Sequence, residues 1–252
     1  MTNSEIQDLF VTCLSQYQKF RKENNPPIEL SVMNGMHRAS AMLAVTIPPN
    51  KQGGLYQLKI DEVLFNKGKS EIKQVLFHEF THIYDDAQTT EYVNGKPIRI
   101  CESYSEINAS KIELMSAFGF NSISQIKYVG LNDCLWKDGN KITLSEFFLK
   151  ACNKITVIPA TTVGISSDEL SKIEAKQILY CIGFLSFIKS YCREDSEQLK
   201  FTLLMIKDGM FSLTIQNIIE AFQASTFDKL SMISIQQYYQ LLRSLSLQKR
   251  SQ

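Results

Sequence analysis

Leu76-Phe77-His78-Glu79-Phe80-Thr81-His82-Ile83-Tyr84-Asp85-Asp86 carries two of the three histidines in a chain of 252 residues. Residues four apart on an α-helix project from the same side, so His78 and His82 offer two nitrogens to one metal ion, with Glu79 beside them. The flanking pattern predicts a helix. At roughly 100° per residue, Ile72, Leu76, Phe80, Ile83 and Ala87 fall within one arc, and His78, Glu79, His82 and Asp86 fall on the neighbouring arc. One stripe is expected to pack on a core and the next to face a cleft. Two imidazoles and two carboxylates are costly to bury together without a cation. The stretch therefore reads as the zinc site of a hydrolase, with Glu79 as general base.

Working outward, Ser4 to Lys22 shows helical spacing (Ile6, Leu9, Phe10, Cys13, Leu14, Tyr17, Phe20), and Asn24-Asn25-Pro26-Pro27 ends it. Ile28 to Met33, Ala39 to Ile47 and Leu55 to Ile60 read as strands of a small sheet, with Ala39 to Thr46 as its edge and Leu55 to Ile60 as an inner strand. The metal helix is expected from near Ser70 to about Ala87, followed by a polar loop with Asn94-Gly95-Lys96-Pro97 and a second helix from about Cys101 to Phe118. Trp136 to Ile142, centred on Asp138-Gly139-Asn140, suits a hairpin. Helical patterns then recur over Leu144 to Ile155, Ser171 to Arg193, Ser196 to Met205, Leu213 to Ala224 and Ile235 to Leu247. The candidate boundary is the glycine-bearing stretch Phe118 to Asn121, which divides 1–118 from a helical region, 119–252.

Lys plus Arg number 27 and Asp plus Glu 26, for a net charge of +1. Basic residues are scattered, so no electrostatic footprint for nucleic acid is expected. The Lys249-Arg250 pair reads as a solvated tail, His37 as a turn residue, and Trp136 and the phenylalanines as core. The start, Met1-Thr2-Asn3-Ser4-Glu5-Ile6, lacks the basic and apolar segments of a secretory signal, and Ile178 to Ile188 is too short to span a bilayer. Six cysteines without a Cys-x-x-Cys pair suit free thiols in a reducing compartment. A cytoplasmic protein without membrane partners is expected.

A catalytic zinc takes three protein ligands and keeps one position for water. With His37 upstream in a turn, the third ligand is expected to be a carboxylate from Cys101-Glu102-Ser103-Tyr104-Ser105-Glu106-Ile107-Asn108-Ala109-Ser110. Glu102 and Glu106 lie four apart on one helical face, so one can bind metal while the other supports it. No Ser or Cys nucleophile motif stands out. Nor does the chain hold the upstream Glu-Gly-Cys segment of peptide deformylases, which share His-Glu-x-x-His.

The stretch His78 to Asp86 resembles the metal helix of the gluzincin metallopeptidases, His-Glu-Leu-Thr-His followed by an aspartate four residues on. Glu106-Ile107-Asn108-Ala109-Ser110 is similar to the Glu-x-x-Ala-Asp/Asn segment that carries the third ligand in several gluzincins, including phage and mobile-element repressor-cleaving peptidases; here serine stands at the last position. The resemblance covers about Ala39 to Phe118. It implies Asp86 as the carboxylate orienting a ligand histidine, and Glu106 as third ligand with Glu102 in support. The rival alignment, Glu-x-x-x-Asp with Glu at the last place, exchanges those two. Glu106 is preferred because Ala109 is small enough to let two helices approach.

The expectation is an α+β protein: an N-terminal helix, a small twisted sheet, the metal and ligand helices of a minimal zincin, and a mainly helical C-terminal region closing the cleft. Its reaction would be zinc-dependent hydrolysis of a peptide or protein substrate, with Tyr84 or Tyr104 as candidate donor to the oxyanion. The alternatives are a zincin-fold binding or regulatory protein, and a toxin or effector protease with one host target.

Overall fold

Thr2 starts the first helix, α1 (Asn3–Arg21): its hydroxyl accepts from the Glu5 amide at 3.3 Å, and the Glu5 carboxylate accepts from the Thr2 amide at 2.7 Å. This reciprocal cap satisfies two amides that a helix start would leave unpaired. The computed structural model describes all residues except 24–25, 37–42, 95, 138, 157–165, 193–208, 225–227 and 252. His37, part of the expected Ala39–Ile47 run, the centre of the expected hairpin at Asp138 and the expected helix Ser196–Met205 lie outside the described residues.

The architecture is α+β, and the chain divides into two compact units. The first comprises Met1–Ile100, Ile112–Lys127 and Cys134–Ile142; the second comprises Cys101–Lys111, Tyr128–Asp133 and Thr143–Gln252. In the first, β1 (Ile28–Met33), β2 (Ala44–Ile47) and β3 (Tyr56–Asp61) form a sheet in the order β1-β3-β2. β3 runs parallel to β1, with Leu30 opposite Leu58, and antiparallel to β2, with Thr46 opposite Leu58. Alternation along β3 sends Tyr56, Leu58 and Ile60 into the core. The inner strand is thus β3, and β2 is the edge, as the sequence predicts for the described part of that run.

Helix α2 (Lys69–Thr89) is the centre of this unit, with every side chain from Leu76 to Asp86 buried. The apolar stripe read from the sequence is only one of two. Phe77, Phe80 and Tyr84 form a second, packed on Tyr17 of α1 at ring distances of 5.1, 5.5 and 5.0 Å. The Tyr17 hydroxyl donates to Thr81 Oγ1 at 2.9 Å, and Thr81 in turn donates to the Phe77 carbonyl at 2.7 Å. Ala87, placed by periodicity on the core stripe, is exposed because the buried part of the helix ends at Asp86.

The polar loop after α2 is instead a small hairpin, β4 (Glu91–Val93) with β5 (Lys96–Ile98). Asn94 supplies the positive φ (52°) that such a turn requires. Helix α3 (Glu102–Ala117) is continuous across the division between the units, its residues from Ile112 onward belonging to the first. The expected second hairpin is present as β6 (Cys134–Lys137) and β7 (Asn140–Thr143). It rests on the start of α2: the Gly139 amide donates to Glu71 Oε1 at 3.2 Å, and Gln74 Nε2 donates to the Trp136 carbonyl at 3.3 Å. Trp136 is not core; Leu135 takes the inward position of the strand, so alternation turns the indole out, 51% exposed.

The second unit holds α4 (Leu144–Thr156), α5 (Ser167–Tyr191), α6 (Gly209–Ala224) and α7 (Lys229–Ser251). Ser166 and Glu169 cap α5 reciprocally. Phe147 meets Phe184 with ring centroids 4.9 Å apart, joining α4 to α5. The pair read as a solvated tail belongs to the last turns of α7. Arg250 lies 3.2 Å from Glu174, and the Lys249 ammonium sits 4.4 Å from the centre of the Phe211 ring. The six cysteines are free thiols, and no helix among the described residues is long and apolar enough to cross a membrane.

Candidate metal centre

Two consecutive same-face positions of α2 bring His78 Nε2 and His82 Nε2 to 3.2 Å. Two imidazole nitrogens on a tetrahedral ion, with bonds of about 2.0–2.1 Å, stand about 3.3 Å apart, so the observed spacing matches that arrangement. Glu106 of α3 completes the group. One ligand atom from each of His78, His82 and Glu106 lies within 4.8 Å of the others, and all three residues are buried. Among the described residues this is the one such cluster, and its donors, two nitrogens and a carboxylate oxygen, fit a metal ion.

Glu102 is not part of that cluster; it is exposed in the first turn of α3. Four residues on, Glu106 falls on the buried side. Ala109, predicted to let helices approach, is fully buried, and a close approach of α5 (Ser167–Tyr191) lies beside it in the sequence. A Cβ on Gly183 of α5 would stand 2.4 Å from the Ile107 carbonyl oxygen and 2.6 Å from Ser110 Cβ. Only glycine permits that contact, and it backs the turn of α3 that carries Glu106. Ser110 Oγ donates within α3 to the Glu106 carbonyl at 2.9 Å.

Glu113, two turns beyond Glu106, is the supporting carboxylate that sequence reasoning missed. Its Oε2 lies 3.3 Å from His78 Nδ1. A carboxylate beside Nδ1 favours the tautomer that leaves the Nε2 lone pair free for a metal. Burial by itself would raise the Glu113 carboxyl. The Lys137 ammonium, 3.4 Å away, and the contact with His78 outweigh it and hold the group down at about 2, so Glu113 is an anion. The signal was available as a carboxylate seven residues after Glu106, on the same helical face.

Asp86, expected as a histidine-orienting carboxylate, is fully buried one turn past His82 and has Arg99 Nη2 2.7 Å from its Oδ2. Glu79 is oriented from β2: Thr46 Oγ1 donates to Glu79 Oε2 at 2.8 Å. Both candidate tyrosines are buried. Tyr84 belongs to the aromatic stripe against α1, with the Arg21 guanidinium 5.7 Å from its ring centre. Burial pushes its hydroxyl up in pKa. Tyr104, also buried, stacks against Phe222 at 5.1 Å.

In the second unit, Lys176 Nζ stands 2.7 Å from Glu106 Oε1, on a side chain 44% exposed. No protein-family model, curated protein or solved structure matches this chain. The chemistry therefore rests on the residues themselves.

Proposed function

We propose that this protein is a zinc-dependent peptidase of gluzincin type, in which His78, His82 and Glu106 hold the ion and Glu79 is the general base. The observation that carries the reading is the 3.2 Å approach of the two Nε2 atoms with Glu106 beside them, next to a carboxylate oriented by its own hydrogen bond. A regulatory protein that only holds an ion has no use for an oriented carboxylate there. Zinc bound to such a donor set supplies a water of near-neutral pKa and a Lewis acid for a carbonyl.

The protein's own residues account for the proton. Glu79 accepts it from the attacking water as the carbon–oxygen bond forms, and delivers it to the amine as the carbon–nitrogen bond breaks. Thr46 holds one Glu79 oxygen and so limits rotation of the carboxylate during that transfer. Glu113 keeps His78 in the tautomer that presents Nε2.

Glu79→Gln preserves shape and removes the base. It should retain zinc and fold while abolishing cleavage, read out by mapping peptide termini generated in a whole-proteome digest by wild type and variant. Equal cleavage by the two proteins would remove Glu79 from the mechanism.

A further inference from the structure

We propose that Lys137 is a positioning residue for the metal-holding histidine His78: by holding one oxygen of Glu113 it keeps the other beside Nδ1 of the imidazole; this rests on the reading of His78 as a metal ligand above. All three residues belong to the first compact unit. Lys137 Nζ donates to Glu113 Oε1 at 3.4 Å, and Glu113 Oε2 lies 3.3 Å from His78 Nδ1. The carboxylate is thus spanned, one oxygen toward the ammonium and one toward the ring. The Glu113 side chain is only 13% exposed, so protein groups rather than bulk water set how it is turned.

The hairpin that carries Lys137 is fixed to the helix that carries the histidine. The Trp136 carbonyl accepts from Gln74 Nε2 at 3.3 Å, and the Gly139 amide donates to Glu71 Oε1 at 3.2 Å, so the two bonds bracket Lys137 along the chain. Glu71 and Gln74 precede His78 by seven and four residues, which puts all three on one face of α2. The hairpin is therefore registered against the same helix face that offers His78. Charge alone makes a lysine unfavourable to a divalent ion, because the two repel. Any help that Lys137 gives to metal binding has to pass through Glu113, whose orientation selects the ring nitrogen left free. Orientation and charge thus predict opposite signs for its removal, and the sign of the effect decides between them.

The test uses the full-length protein with Lys137→Met, Lys137→Arg and, as a control, Lys141→Met, which removes a charge from an exposed position of the same hairpin. Zinc affinity is measured by competition with a chromophoric chelator. The tautomer of His78 is read in the zinc-free protein by nitrogen NMR of the imidazole, at a pH where the ring is neutral. Lys137→Met is expected to bind zinc about tenfold more weakly than wild type, as changes to groups that orient a ligand do, and to lower the fraction of rings protonated on Nδ1. Lys137→Arg, which keeps charge and donors, should recover part of both. Lys141→Met should bind zinc as tightly as wild type or slightly more tightly. In a Glu113→Ala background Lys137→Met should cost no further affinity, because the group through which it acts is gone. Should Lys137→Met fail to fold, Lys137→Gln takes its place in each comparison. Unchanged or tighter zinc binding on loss of Lys137, or an unchanged tautomer, overturns the inference, and so does an equal loss in the Glu113→Ala background. A wild type that binds no zinc overturns the metal reading and this inference with it. Loss of the Lys137 effects alone leaves the metal reading standing.

Discussion

Glu113 and Thr46 touch different members of the same group, and their substitutions should separate holding a metal from using it. Glu113 Oε2 lies 3.3 Å from His78 Nδ1, where it favours a proton on that nitrogen, and Lys137 helps to hold it as an anion. Glu113→Gln keeps the volume and weakens the pull on that proton, so zinc affinity should fall by about 10- to 100-fold in chelator competition. Thr46→Val removes the hydrogen bond to Glu79 but touches none of the proposed ligands. It should leave zinc affinity unchanged and lower turnover. The ligand set makes a sharper contrast within α3. Glu106→Ala should strip most of the zinc measured by elemental analysis, and Glu102→Ala, at an exposed position outside the cluster, should keep it. Zinc loss in the Glu102 variant with retention in the Glu106 variant would reverse the assignment.

At the scale of the helices, Gly183 decides whether Glu106 can stay where it is. A methyl group there would meet the Ile107 backbone oxygen at 2.4 Å, which cannot move aside as a flexible side-chain end can. Gly183→Ala should therefore destabilise the protein by about 1–3 kcal/mol in denaturant unfolding, as overpacking does, and weaken zinc binding by displacing the ligand turn. Gly130→Ala, whose new methyl would find its nearest neighbour at 3.8 Å, is the tolerated control. This contact also shows what could be read in the chain before its structure. α2 was legible because its chemistry and its period coincide: His78, Glu79 and His82 ride on a helical apolar repeat. The Glu102/Glu106 choice was not settled by spacing, since both lie on one face, and only the packing of α3 distinguishes an exposed carboxylate from a buried one. The packing of Tyr84 was hidden for a related reason. A period reveals that a helix has a buried stripe, but α2 is covered on a second side by α1, and the number of neighbours is a tertiary property. Trp136 and the Lys249-Arg250 pair went astray by residue type, because an indole is large enough to suggest core and terminal basic residues suggest solvent. Strand alternation turned the first out, and Glu174 and Phe211 engage the second.

For the molecule as a whole, the consequence of a metal centre is thermodynamic linkage. Whatever binds the folded state and not the unfolded chain stabilises it, by about 2.7 kcal/mol when free ligand stands at 100 times the dissociation constant. The cluster draws His78 and His82 from the buried centre of α2 and Glu106 from α3, so the donor set exists only when both helices are formed. Zinc bound at the proposed site would then resist unfolding of the elements that make it. For a chain of 252 residues, that free energy corresponds to a rise of roughly 5–10 °C in Tm. Magnesium should give no such rise, since two imidazoles suit it poorly. Scanning calorimetry of wild type, His82→Ala and Glu79→Gln with and without zinc separates the roles. His82→Ala should lose the increment because a donor is gone, whereas Glu79→Gln should keep it, because the proposed base is not a ligand. An increment that survives in His82→Ala would mean that zinc stabilises the protein from somewhere other than this cluster.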